Sequence, residues 1–125
     1  MVEVEVANRS GAVVDESGTV ALALAVLDGE GVATGELGIA FVGAEEMRAL
    51  KRDHLGIDEA TDVLSFPIDG LGPLPAGEPR ALGDVVLCPG VVGDDWREPL
   101  VHGLLHLLGY DHGTRMETRE RVYLP

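Results

Sequence analysis

Val2, Val4 and Val6 alternate with Glu3 and Glu5 in the opening VEVEVAN, the period-2 pattern of a strand with one buried face. Asn8 to Gly11 then turns the chain. From about Asp15 to Leu27 apolar residues are dense and the only interior breaker is Gly18, which predicts a helix ending before DGEGVATG. ELGIAFVG reads as a second, more deeply buried strand. Ala44 to about His54 reads as a helix, with Met47 and Leu50 three apart and Gly56 placed as its stop.

TDVLSFP is a short third strand closed by Pro67, and the Gly- and Pro-rich IDGLGPLPAGEPR after it is a loop, expected to form a functional rim. The apolar ALGDVVLCPG is the fourth strand. Pro99 suits a first helical turn, so the next helix runs from about Pro99 to Leu108 and stops at Gly109. The tail GTRMETRERVYLP forms one further short helix. Strands and helices mix without strict alternation, which favours an α+β fold: a sheet with helices packed on it.

The chain has 125 residues, a length that suits a single domain spanning 1–125. Its aromatic content is only 4%, so the core must be aliphatic. The longest purely apolar run, VALALAVL at 20–27, is far short of the roughly 20 residues that span a bilayer, and no membrane association is expected. The N-terminus has no basic segment followed by an apolar one, and Cys88 is the only cysteine; a cytoplasmic protein is expected. Cys88, ending an apolar strand, reads as a packed thiol.

The net charge of −13 argues against indiscriminate binding to nucleic acid. Six of the nine basic residues nevertheless fall in two segments, Arg48, Lys51 and Arg52, and Arg115, Arg119 and Arg121. Each reads either as a solvated helix face or as a local phosphate contact, and Arg48, Lys51, Arg52 and Arg115 are the candidate phosphate-contacting residues.

The chemistry concentrates in VHGLLHLLGYDH, which holds three of the four histidines. His102 and His106 are four apart, on one helix face. Gly109 can take a left-handed conformation and turn the chain so that His112 approaches the same point. H-x3-H-x5-H is also the ligand spacing of the metzincin zinc peptidases, so the helix is zincin-like. Three His ligands leave a fourth tetrahedral position for water, as in a catalytic zinc site. The general-base glutamate that a metzincin carries after its first histidine is replaced here by Gly103. Zinc can still make hydroxide available near neutral pH, which suits phosphodiester hydrolysis. Asp111 reads as an Asx turn or as a residue orienting a ligand.

HGLLHLLGYDH closely resembles the metal-binding motif of the YbeY endoribonuclease family of rRNA maturation factors. ATDVLSFP at 60–67 resembles that family's second motif and LGDVVLC at 82–88 its third, in the family's order. The resemblance implies a mixed four-stranded sheet, and one Zn2+ per chain held by His102, His106 and His112. It also implies a cytoplasmic, single-strand-specific endoribonuclease acting in 16S rRNA 3′-end maturation and ribosome quality control. Its partners would be single-stranded RNA, the 16S rRNA precursor and the small ribosomal subunit. Thr61, Ser65, Phe66 and Pro67 map onto the second motif and Asp84 onto the third. Ser65 and Asp84 become candidate catalytic residues or structural hydrogen-bonding groups; Phe66 and Pro67 are packing and strand termination.

Two departures from the family bear on the site. Leu55 stands where many members carry an arginine, with Arg52 and His54 as its possible substitutes, and only thirteen residues separate Cys88 from His102, so a helix before the metal helix is shortened or missing. The alternatives are a zinc hydrolase of peptides or small molecules, and a non-catalytic ribosome-associated factor.

Overall fold

The computed structural model describes residues 1–93 and 95–124. In chain order it contains β1 (Val2–Asn8), α1 (Glu16–Gly29), β2 (Gly35–Phe41), α2 (Ala44–Leu55), β3 (Val63–Pro67), β4 (Ala81–Leu87), α3 (Pro89–Val92), α4 (Arg97–Leu107) and α5 (Thr114–Tyr123). The four strands form one mixed sheet in the order β1-β2-β4-β3. β1, β2 and β4 are parallel, and β3 runs antiparallel to β4 with Val63 opposite Leu87. The α+β, mixed four-stranded arrangement is the one the sequence predicts.

Strand alternation divides the core between the two faces of the sheet. Leu37, Ile39 and Phe41 of β2 and Val85 and Leu87 of β4 point to one face. There they join Ala23, Val26 and Leu27 of α1 and Leu100, Val101, Leu104 and Leu105 of α4. The opposite face carries a smaller cluster, Val42, Met47, Leu64, Val86 and Cys88, beneath α2. Cys88 is buried there as a free thiol, as expected.

Local sequence chemistry sets the helix ends. The Asp15 carboxylate accepts from the Gly18 N–H at 2.9 Å and caps α1. α1 continues two residues past the expected Leu27, because Asp28 and Gly29 still take helical geometry before the chain turns. α4 begins at Arg97 and not at Pro99, leaving the proline inside the first turn. The segment before it holds the single turn α3, so the helix expected there is shortened. Among the described residues no helix is long and apolar enough to cross a membrane.

α4 positions the site. Leu100, Val101, Gly103, Leu104, Leu105 and Leu107 are buried, and the helix packs on β3, β4, α1 and α5. A helix apolar on most sides has to be enclosed in this way. Gly103 is what lets it lie so low on the sheet: a Cβ there would come within 2.9 Å of both Val63 Cγ2 and Val85 Cγ1. The Ser65 hydroxyl donates to the Gly103 carbonyl at 2.8 Å, tying β3 to the same point.

Candidate metal centre

His102 and His106 project from the part of α4 left uncovered by the core, each partly buried. α4 ends at Leu107, and Gly109, at φ 101°, turns the chain so that exposed His112 comes back over the helix. The three ring centroids lie 4.5, 4.5 and 5.1 Å apart, with one nitrogen from each ring within 4.8 Å of the others.

Hydrogen bonding fixes which nitrogens face inward. His106 Nδ1 lies 2.8 Å from the Tyr110 carbonyl; a carbonyl only accepts, so Nδ1 carries the hydrogen and Nε2 presents a lone pair. His102 Nδ1 faces the Glu120 carboxylate at 3.4 Å, with the same consequence. The two Nε2 atoms are then 3.1 Å apart, lone pair to lone pair. With both rings neutral that contact is repulsive, and a proton shared between the rings or a metal ion between them relieves it. Two nitrogens on a tetrahedral zinc, at about 2.0–2.1 Å from the metal, are separated by roughly 3.3 Å, so the observed pair fits a zinc-sized ion. Burial lowers the His106 pKa from its ordinary 6.5; the Tyr110 hydrogen bond opposes this, and neighbouring His102 and His112 reinforce it. A neutral imidazole, the ligand form, is thereby favoured.

The histidines border a cleft of about 1050 Å³. β3 and the segment before it contribute Thr61, Asp62, Val63, Ser65 and Pro67, and Leu55 at the end of α2, Asp95 and Glu98 complete the rim. Ser65 and Thr61 thus reach the site. The Ser65 hydroxyl is committed to the Gly103 carbonyl, the structural alternative for that residue.

Asp84 does not reach the site. Alternation along β4 turns it to the face opposite Val85, where it borders a groove with Glu5, His54 and Phe66. A Cβ on neighbouring Gly38 would collide with its carboxylate, so Asp84 lies over the sheet surface, separated from the histidines by the sheet. The position of Asp84 in a family motif carries no information about which face it occupies, and the strand period decides it.

None of the four basic candidates borders the metal cleft; Arg115 comes nearest, lining an adjoining groove with His112, its guanidinium 5.4 Å from the Tyr110 ring centroid. Arg48 pairs with Asp58, Lys51 with Glu59 and Arg52 with Asp53. None of these three, nor His54, borders the metal cleft. The 68–80 loop is likewise no rim of it: Asp69 accepts from the Ala81 N–H and Arg80 donates to the Gly70 carbonyl, folding the loop on itself. Only Leu71 approaches, on the Arg115 side. Asp111 is exposed, and the Tyr110 carbonyl orients His106 instead.

Sequence reasoning missed Tyr110, Glu120, Asp95 and Glu98. Glu98 was within reach of it, since Glu98, His102 and His106 follow at intervals of four and share a helix face. The Glu120 contact depends on how α5 packs, which no local pattern encodes.

Fold and site together define an α+β protein whose helix α4 and the turn after it bring three histidines together where they could hold a metal ion. A family model described as Endoribonuclease YbeY matches residues 5–123. The curated protein Endoribonuclease YbeY from Salinispora tropica is 39% identical over 141 aligned positions, covering 97% of this chain and 90% of that protein. Its counterpart from Acidothermus cellulolyticus is 43% identical, covering 97% and 85%. That from Halorhodospira halophila is 45% identical over 106 positions, 72% of this chain and 69% of that protein. The solution structure of TM1509 from Thermotoga maritima shares the fold, with a TM-score of 0.57 at 21% identity over 98% of this chain and 86% of that one. The chain belongs to the YbeY endoribonuclease family.

Proposed function

We propose that this protein is a zinc-dependent, single-strand-specific endoribonuclease that acts in the cytoplasm in 16S rRNA 3′-end maturation and ribosome quality control. The observation that carries the reading is the pair of inward Nε2 lone pairs on His102 and His106, with His112 turned over them. When bound there, Zn2+ supplies Lewis acidity for a phosphoryl oxygen and makes hydroxide available near neutral pH.

The chain's own residues do the rest. Tyr110 and Glu120 hold two imidazoles in the ligand tautomer. Gly103 leaves no room for the carboxylate a zinc peptidase requires beside its first ligand, which disfavours a peptide substrate. Glu98, one turn before His102, is the nearest carboxylate in sequence on the cleft rim. Arg115, beside His112, is the cation placed to meet a phosphate. Arg48, Lys51 and Arg52 on α2 are more distant contacts for a longer RNA.

The experiment is cleavage of a single-stranded RNA carrying a 16S 3′-end precursor sequence, and of the same sequence in duplex, by zinc-loaded protein and by His102→Ala/His106→Ala prepared in parallel. Cleavage of the single strand by the intact protein alone is the expected result. A second reading, a non-catalytic factor bound to the small ribosomal subunit, is favoured by Leu55 and by a cleft rim that carries carboxylates and, among the described residues, no Lys or Arg. Zinc uptake and subunit binding without RNA cleavage would select it.

A further inference from the structure

Glu30 lies outside the cleft, yet its side chain is only 5% exposed. It sits at the C-terminal cap of α1, the negative end of the helix, where local electrostatics disfavour a carboxylate. Its place is explained by what converges on it. Tyr110 donates its hydroxyl to Oε1 at 2.6 Å, Arg119 donates Nε and a terminal N–H to Oε2 at 2.9 and 2.6 Å, and the Tyr123 hydroxyl also donates to Oε2. The preceding Gly29 leaves the space for this, since a Cβ there would collide with the Tyr123 hydroxyl.

Tyr110 therefore has two fixed ends. Its hydroxyl is anchored on Glu30, and its carbonyl accepts from His106 Nδ1. On α5 the residue after Arg119 is Glu120, which faces His102 Nδ1. Two consecutive residues of one helix thus reach both metal-side histidines, Arg119 by way of Glu30 and Tyr110, and Glu120 directly.

We infer that Glu30 and α5 form a two-armed positioning clamp that sets the orientation of the His106 and His102 rings and thereby the affinity of the metal centre. This rests on the metal reading given above. Glu30, Tyr110 and Arg119 are positioning residues: they act through His106 and touch no reacting atom. Partners that orient ligating imidazoles characteristically change metal affinity by about 10- to 100-fold when removed.

The test measures Zn2+ affinity by chelator competition, and the visible spectrum of the Co2+-substituted protein, for the wild type, Tyr110→Phe, Glu30→Gln and Glu120→Ala. Tyr110→Phe keeps the ring and the carbonyl and removes only the anchor. It is expected to weaken Zn2+ binding about 10-fold or more and to alter the Co2+ spectrum while the circular dichroism of the folded protein is retained. Asp15→Ala, which removes the cap at the far end of α1, is the control: it lowers the melting temperature and leaves metal affinity and spectrum unchanged. If Glu30→Gln fails to fold, Tyr110→Phe and Glu120→Ala decide. Zn2+ affinity within twofold of wild type and an unaltered Co2+ spectrum in both would overturn the clamp, leaving the network as a tie between α1 and α5. A wild-type protein that takes up no metal would overturn the metal reading and the clamp together.

Discussion

The two walls of the metal cleft are built differently. On the α4–α5 side nearly every polar group is spoken for: His106 by Tyr110, Tyr110 by Glu30, Glu30 by Arg119 and Tyr123, His102 by Glu120. On the opposite side Leu55 is 58% exposed, with Thr61, Asp62, Ser65 and Asp95 along the rim and no Lys or Arg among its described residues. The first wall is built to hold a cation; the second carries no basic side chain to meet a polyanion. Metal affinity and RNA affinity are therefore separable properties here, and substitutions should move one without the other.

The largest effect is expected on the first wall. His106→Ala removes a ligand and the Tyr110 contact together, and RNA cleavage should fall to background with less than stoichiometric zinc by elemental analysis. Gly103→Glu, which would restore the peptidase-type carboxylate in sequence, forces atoms into Val63 and Val85. Overpacking of this kind costs about 1–3 kcal/mol or more, so urea unfolding should show a clear loss of stability and no gain of proteolysis.

A smaller effect concerns pH. Burial pushes the Glu30 carboxyl up, but hydrogen bonds from Arg119, Tyr110 and Tyr123 outweigh it and hold the folded value below the ordinary 4.5. A depressed folded value means that the stabilisation is complete above the unfolded value and is lost as pH falls through the folded one. Glu30→Gln should thus be less stable than wild type at about pH 7, with a gap that narrows toward about pH 3 in denaturant titrations.

On the second wall, Leu55→Arg adds a cation to the bare rim. KM for a short single-stranded RNA should fall severalfold, and the plot of log affinity against log salt should steepen by about 0.7 for one added phosphate contact, with zinc affinity unchanged. The smallest effect is expected for Asp84→Asn, on the far face of the sheet. Cleavage should stay within about twofold of wild type, a change under about 0.5 kcal/mol; a large loss would show that the site extends around the sheet edge.

Much of this was legible in the sequence because it is periodic. The alternation of Val2, Val4 and Val6, the i,i+4 pair His102 and His106, and Gly109 as the turning point each follow from local geometry, and the structure reproduces them. The motif alone left Asp84 open between the cleft and a structural role, and the strand period decides its face: Val85 faces α4, so Asp84 cannot. The α2 basic cluster was readable as charge, but its pairing with Asp58 and Glu59 arises from the turn after the helix. The clamp was out of reach, since Glu30 and Tyr123 are 93 positions apart and meet only through the packing of α5 on α1.

The most direct test of the central claim is a titration of metal-free protein with Zn2+ while cleavage of a single-stranded RNA is followed. Three histidines holding one catalytic ion predict no cleavage without metal and a linear rise that saturates at one equivalent per chain. Full cleavage by the metal-free protein, or none after one equivalent has demonstrably bound, would contradict it.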